Sequence, residues 1–374
     1  MNENMLKEKG PCREAWLILQ NGMVFQGRRF GAEGDAVAEI VFTTGVTGYI
    51  ETLTDPSYHG QIVVQTFPLI GNYGVIPEDF ESSWPRLSAY VVHDVCDGPS
   101  NFRSREKLGD YLKRCGVIGL WGIDTRTLAR VIRETGVMNA AICSALPEDI
   151  EAFTEELRAK SLSSDVFQVT CEKPFILNPS GKRHIVLWDF GYKGGIARAL
   201  TERGCRVTVV PAGIEAEKIL SLNPDGVLLS NGPGDPASYT GIIENVRKLV
   251  ASGLPLFGIC LGHQLLGLAH GAETVKLKYG HRGANQPVRE TSTGRLIITS
   301  QNHGYAVKSD TLPAPHRVSY VNVNDGTCEG VDYVGENVFS VQFHPEACAG
   351  PEDASFLFER VLKNCEEAPR HAAE

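Results

Sequence analysis

The sequence of 374 residues lacks most of the features that announce a function directly. None of its ten cysteines stands in a C-x-x-C pair, so a structural zinc site of the usual spacing is not expected. No G-x-x-x-x-G-K-[ST] segment is present, and no G-x-G-x-x-G follows a strand-like run. Nucleotide chemistry therefore belongs to a partner or to a less obvious site. No apolar stretch is long enough for a membrane span; the nearest candidate, Leu254 to Ala269, is interrupted by Gly, His and Gln. The segment Met1 to Gln20 is charged and has no apolar run ahead of a small-residue cleavage site, unlike a secretory signal. Positive charge is not in excess: the net charge of −9 argues against a nucleic-acid binder. Internal repeats and low-complexity segments are also missing.

What remains is an ordinary soluble composition, 42% hydrophobic and 22% charged, in a chain long enough for two domains. Scattered cysteines in a chain of this size read as reduced thiols, which points to the cytoplasm.

The two halves have different grammar. In the first, Trp16 to Leu19 and Met23 to Phe25 flank Asn21-Gly22, a two-residue hairpin signal. Strand-like runs follow at Ala38 to Phe42, Gln61 to Gln65 and Ala89 to Val92. Asp124 is a good N-cap for a helix with Leu128, Val131 and Ile132 on one face and Gly136 as its stop. A second helix starts at Pro147-Glu148-Asp149 and runs through Leu157. This half reads as a mixed α+β domain with few strands and long loops. Glu172 to Lys182, with two prolines, Asn178, Ser180 and Gly181, reads as a linker. The expected division is residues 1–171, a linker at 172–183, and residues 184–374.

From His184 strands and helices alternate: strands at Ile185 to Trp188, Val207 to Val210, Val227 to Ser230 and Leu256 to Ile259, with helices between them. That alternation predicts an α/β domain with a mostly parallel sheet flanked by helices on both faces. After Ala272 the pattern is strand-rich to Gln342, and a helix spans about Asp353 to Leu362. Ligands of such sheets bind at the carboxyl ends of the strands.

Two segments fall at those ends. Gly258-Ile259-Cys260-Leu261-Gly262-His263-Gln264 places a cysteine between glycines at a strand-to-helix turn, the Cys version of a nucleophile elbow. The glycines allow the sharp turn, and the following helix aims its positive end at the sulfur, favouring the thiolate. An exposed, activated thiol requires this setting; the other nine cysteines read as core residues. Asn231-Gly232-Pro233-Gly234-Asp235 is either an ordinary turn or a rigid loop whose backbone approaches a substrate. In the second case the N–H groups of Gly232 and Leu261 face an oxyanion. In Phe343-His344-Pro345-Glu346, Pro345 biases His344 to extended backbone, so the Glu346 side chain returns to the imidazole and holds its tautomer. The blander alternative is a strand-ending turn. Ser300-Gln301-Asn302-His303-Gly304-Tyr305 is a third candidate wall.

Together these segments resemble a class I glutamine amidotransferase domain with a Cys-His-Glu triad. In the first half, Thr44-Gly45-Val46-Thr47-Gly48-Tyr49, Leu53-Thr54-Asp55-Pro56-Ser57-Tyr58 and Gly71-Asn72-Tyr73-Gly74 resemble the small chain of glutamine-dependent carbamoyl-phosphate synthases. Pro99 to Arg103, Gly122 to Arg126 and Asp189-Phe190-Gly191-Tyr192-Lys193 agree. The resemblance runs from about Trp16 to about Leu362.

It implies Cys260 as nucleophile, His344 as general acid and base, and Glu346 as the group that orients His344. It implies glutamine contacts at Gly45, Gly232, Gly234, Leu261, Gln264, Asn302, Gly304 and Tyr305. It further implies a large ATP-grasp partner chain that uses ATP, magnesium and bicarbonate and receives ammonia under cover, with no cofactor or metal on this chain. The implied product is carbamoyl phosphate for arginine or pyrimidine synthesis. Four positions depart from the common pattern: Gly45, often Ser; Tyr305, often Phe; and Gly194-Gly195, often a bulkier residue and Asn, which unsettles the expected helix start. Two other readings stay open from the residues: the amidotransferase subunit of another synthetase, and a catalytically silent regulatory subunit.

Overall fold

The computed structural model describes residues 14–162, 164–347 and 349–368. The charged N-terminal stretch lies mostly outside these residues. They form two compact units that divide between Ser164 and Asp165. Among them no helix is long and apolar enough to cross a membrane.

The first unit contains β1 (Glu14–Leu19), β2 (Val24–Gly31), β3 (Ala36–Thr43), α1 (Tyr49–Thr54), β4 (Gln61–Gln65), β5 (Leu69–Ile70), β6 (Ala89–Val91) and β7 (Asp94–Val95). It continues with α2 (Leu108–Arg114), β8 (Ile118–Trp121), α3 (Thr125–Thr135), β9 (Met138–Cys143) and α4 (Ile150–Ala159). Seven of the strands close into a barrel in the order β1-β2-β8-β6-β4-β3-β9, and β5 pairs with β7 apart from it.

The reading of few strands is thereby corrected. β8 and β9 escaped it because Gly119, Ala140 and Ala141 dilute the β-branched signal. Close packing dictates the small residue at Gly119, where a Cβ would lie 2.5 Å from the Phe30 carbonyl oxygen. Residues alternating along the strands, such as Leu17, Ile40, Ile62, Val91, Leu120 and Ile142, share one cluster with Leu128 and Ile132 of α3. Their neighbours of opposite phase, Val41, Val63 and Tyr90, pack with α1 and α2.

The Asn21-Gly22 hairpin forms, but with three loop residues. Leu19 N–H bonds to Met23 O, and Gly22 takes φ 89°, a conformation that glycine adopts without strain. The α3 cap forms as expected: Asp124 accepts from Thr127 N–H at 2.9 Å and from the Thr127 hydroxyl at 2.7 Å. Asp124→Ala is expected to lower the free energy of urea unfolding by about 1 kcal/mol, and Asp124→Asn to retain most of it. An unchanged midpoint in the Ala variant would show that this cap is idle.

The second unit contains β10 (Phe175–Leu177), β11 (Arg183–Asp189), α5 (Gly194–Glu202), β12 (Cys205–Pro211), α6 (Ala216–Ser221), β13 (Gly226–Leu229) and α7 (Thr240–Ala251). Then come β14 (Leu256–Ile259), α8 (Leu261–Ala269), β15 (Thr274–Glu290), β16 (Leu296–Val307), β17 (Arg317–Asn322), β18 (Cys328–Tyr333), β19 (Val338–Val341) and α9 (Phe356–Glu367). They form one sheet of ten strands, ordered β10-β12-β11-β13-β14-β19-β18-β17-β15-β16. The parallel order holds across the central strands β12, β11, β13, β14 and β19, and the flanking strands run antiparallel.

The central strands are apolar on both faces, as burial between two helix layers requires. Val186, Trp188 and Leu229 face Ile243, Val246 and Leu265 of α7 and α8. Leu187, Phe257 and Phe339 face Leu200, Phe358 and Val361 of α5 and α9.

The linker reading at 172–183 is also corrected. Its middle is β10, paired antiparallel with β12, so this segment belongs to the sheet of the second unit. Turn-forming residues at both ends of a three-residue strand gave it the look of a linker.

Candidate active site

The site is built on two neighbouring parallel strands, β14 and β19, in register Ile259↔Val341. Both end at the same edge. β14 runs straight into Cys260, which caps α8 with φ 54° and ψ −103°. Backbone of this kind costs a non-glycine residue roughly 1–3 kcal/mol and gathers at functional sites. Close packing on both sides holds the turn: a Cβ at Gly262 would lie 2.2 Å from Leu229 O, and one at Gly258 would lie 2.6 Å from Gly262 O. Cys260 N–H bonds to Val341 O at 2.9 Å, tying the elbow to β19.

The thiol is 2% exposed and lies 3.6 Å from the Asn302 carbonyl oxygen, to which it donates. The expected exposed thiol is thus a buried one, because β16 covers it with the Asn302 backbone.

Beyond β19 the chain bends at Gln342 and Phe343, and His344 N–H bonds to Ser300 O at 2.9 Å; the expected extended backbone gives way to a turn at Pro345-Glu346, where Ala347 N–H reaches His344 O at 3.4 Å. The His344 Nδ1–H donates to Glu346 Oε1 at 2.6 Å. Nδ1 is thereby committed, and the buried Nε2 has no hydrogen-bond partner among the described residues. Burial and the Lys193 ammonium lower the proton affinity of the ring, but Glu346 and the nearby Cys260 thiol raise it more, to a pKa of about 9. For Glu346, burial acts upward, and the His344 ring and Lys193 outweigh it, bringing the carboxyl down to about 2. The imidazole and the carboxylate thus pair directly, and the Cys260 thiol is near enough to favour the protonated ring.

Lys193 is a site residue that the sequence reading left without a role. Its Nζ lies 3.5 Å from Glu346 Oε1, and both side chains are buried. The only signal was its place at the end of Asp189-Phe190-Gly191-Tyr192-Lys193. That turn is fixed by Asp189 Oδ1, which accepts from Gly191 and Tyr192 N–H, and by Asn231 Oδ1, which accepts from Lys193 N–H at 3.1 Å. The helix start left unsettled by Gly194-Gly195 falls at Gly194. A Cβ at Gly195 would stand 3.1 Å from Glu346 Cγ, so the small residue lets α5 approach the carboxylate.

The Asn231 to Asp235 loop is tied at several points to its neighbours. Asn231 Nδ2 donates to Gly191 O at 2.9 Å, Tyr239 OH donates to Pro233 O at 3.2 Å, and Gly234 takes φ 92°. A Cβ at Gly232 would lie 2.2 Å from Phe190 O and 2.9 Å from Leu261 Cδ2, which puts this loop against the elbow. Among the described residues no backbone acceptor takes the N–H of Gly232 or Leu261.

Gln264 donates to Tyr305 O at 2.8 Å and to Gln342 Oε1 at 2.9 Å. It so joins α8 to the Asn302-His303-Gly304-Tyr305 wall, where His303 Nδ1–H also donates to Tyr305 O at 2.8 Å. Gly45 lies in the first unit, after β3, where its carbonyl accepts from the Gln65 side chain.

A Cys elbow, a His-Glu pair and a clamped glycine loop at the carboxyl edge of a parallel sheet define a class I glutamine amidotransferase, and residues 186–364 match the family described as glutamine amidotransferase class-I. Residues 17–142 match the carbamoyl-phosphate synthase small chain, CPSase domain. The chain is 48% identical to the carbamoyl phosphate synthase small chain of Bacillus thuringiensis subsp. konkukian, over 96% of this chain and 98% of that protein. It is 50% identical to the carbamoyl phosphate synthase small chain of Symbiobacterium thermophilum, over 92% of this chain and 96% of that one. The chain belongs to the carbamoyl-phosphate synthase small chain family, the glutamine-hydrolysing subunits of that ligase.

Proposed function

We propose that Cys260, His344 and Glu346 hydrolyse L-glutamine and that the ammonia passes to a large synthetase chain. The contact that carries this reading is the 2.6 Å bond from His344 Nδ1–H to Glu346, which leaves Nε2 open beside the elbow cysteine. The Cys260 thiolate adds to the side-chain carboxamide carbon, and the carbonyl oxygen becomes an oxyanion facing Gly232 and Leu261 N–H. The His344 imidazolium gives its Nε2 proton to the departing nitrogen; the C–N bond breaks, leaving ammonia and a γ-glutamyl thioester. His344 then takes a proton from water as it attacks the thioester, releasing glutamate and restoring the thiolate. Glu346, held by Lys193 at 3.5 Å, keeps the ring oriented and charged.

Gly234, Gln264, Asn302, Gly304 and Tyr305 form the glutamine pocket in this reading. For Gln264 and Tyr305 the support is their hydrogen-bonded join beside the elbow. Gly45 is included on the family resemblance alone.

Family membership carries the partner assignment: a large ATP-grasp chain that holds ATP and magnesium and consumes bicarbonate. No cofactor is assigned to this chain. A cytoplasmic complex suits the eight described cysteines, all free thiols.

Two measurements test the proposal together. A diazo-ketone analogue of glutamine should label Cys260 stoichiometrically. Adding this chain to the large chain should convert ammonia-dependent carbamoyl phosphate synthesis to glutamine-dependent synthesis. Labelling at another thiol sinks the site, and absence of glutamine dependence despite labelling at Cys260 sinks the pairing.

A further inference from the structure

At the far end of α8 from Cys260, about 15 Å along the helix axis, a second group of chemistry-bearing side chains converges. His270 caps α8, His316 precedes β17, and Glu336 sits in the turn between β18 and β19. One donor atom from each lies within 4.8 Å of the other two. The His270 and His316 rings meet edge to face with centroids 5.0 Å apart, and Tyr333 stacks on His270 at 4.0 Å.

The hydrogen bonds show what the cluster lacks. His270 Nδ1–H donates to Leu266 O at 2.7 Å, which leaves the Nε2 lone pair as the outward donor. That Nε2 lies 3.0 Å from Glu336 Oε2, a spacing satisfied either by a second proton on the ring or by a metal ion held between the two atoms. The His316 Nδ1 is buried with no hydrogen-bond partner among the described residues. A backbone carbonyl accepting from the far nitrogen of a histidine is the arrangement that orients a metal-ligating imidazole. Two ligands each about 2.0–2.2 Å from one zinc ion stand roughly 3–3.6 Å apart, which matches the His270–Glu336 spacing.

We propose that His270, His316 and Glu336 bind one divalent transition-metal ion of the zinc class, with two imidazole nitrogens and one carboxylate oxygen as protein ligands. Glu336, with 31% of its side chain exposed, leaves an open side for water as fourth ligand. The ion would lie at the C-terminal end of α8, where the helix dipole favours positive charge. Arg247 already donates to Leu268 O and Ala269 O there, but it is paired with Glu244 and leaves Leu266 O to His270. The ion would pin the nucleophile's helix to the β18–β19 turn and to the segment entering β17.

The test titrates the full-length chain with Zn2+ by calorimetry and with Co2+ by visible absorption. The expected result is one saturable site whose Co2+ spectrum shows tetrahedral d–d bands without thiolate charge transfer. His316→Ala and Glu336→Gln should each weaken Zn2+ binding at least about tenfold. Zn2+ should raise the Tm of the parent chain and not that of either variant. Absence of saturable binding overturns the proposal. So do equal affinities in the parent and both variants, and so does a thiolate charge-transfer band, which would place the ion on cysteine.

Discussion

Replacing Cys260 by Ser should lower glutamine hydrolysis at least about a thousandfold while leaving carbamoyl phosphate synthesis from free ammonia intact in the complex with the large chain. The loss follows from the mechanism: a hydroxyl at this position is a far weaker nucleophile, and Ser forms no thioester. The fold has little reason to change. Ser repeats the Cys260 donor to Asn302 O and costs on the order of 1 kcal/mol or less.

A companion comparison isolates the strain at the elbow. Cys260 holds φ 54° and ψ −103°, so Cys260→Gly should be more stable to urea than Cys260→Ala by about 1 kcal/mol, although both are inactive. That result would show backbone strain kept for function. A Ser variant with glutaminase turnover within tenfold of the parent would remove Cys260 from the mechanism.

The legible parts of this molecule were those whose signals are local. Asp124 capping Thr127 and the strand-turn-helix around Cys260 each need only a few neighbouring residues to state their case. So does His344-Pro345-Glu346, although the pair meets across a turn at Pro345-Glu346 rather than along the extended backbone that its proline suggested. The alternating apolar strands from Ile185 to Ile259 were equally clear, because a parallel sheet buried on both faces needs unbroken apolar runs.

What stayed hidden depends on closure in three dimensions. The barrel of the first unit uses small residues where strand propensity alone would favour larger ones: Ala140 packs in its interior, Ala141 packs on the other face with Leu157, and Gly119 lies under Phe30. Lys193 reaches Glu346 across 153 positions of sequence, and nothing in its local pattern announces that pairing. The cover over Cys260 is a backbone carbonyl from β16, and a carbonyl has no residue type to read.

Glu346→Gln should reduce glutamine hydrolysis by about 10²–10⁴-fold, the range seen when the acidic member of such a triad loses its charge. The pH profile identifies the cause. In the parent enzyme the His344 ring holds its second proton up to a pKa of about 9, so it can protonate the leaving ammonia throughout the neutral range. The alkaline limb of kcat/KM should therefore fall as pH rises through about 9. Glu346→Gln leaves burial and Lys193 acting against the proton with no carboxylate to oppose them, and the limb should move down by about one unit or more.

Stability follows the same sign. The folded pKa of His344 lies above the ordinary imidazole value near 6.5, so its contribution is complete below about 6.5 and disappears as pH rises through about 9. Glu346, lowered from 4.5 to about 2, contributes above about 4.5 and loses that contribution as pH falls through about 2. The difference in unfolding free energy between parent and Glu346→Gln should accordingly be largest between about pH 4.5 and 6.5 and shrink on both sides. A Gln variant that is slow yet keeps the parent's alkaline limb would show that Glu346 places the ring without setting its charge, and a variant that keeps both rate and profile would leave His344 without need of a carboxylate.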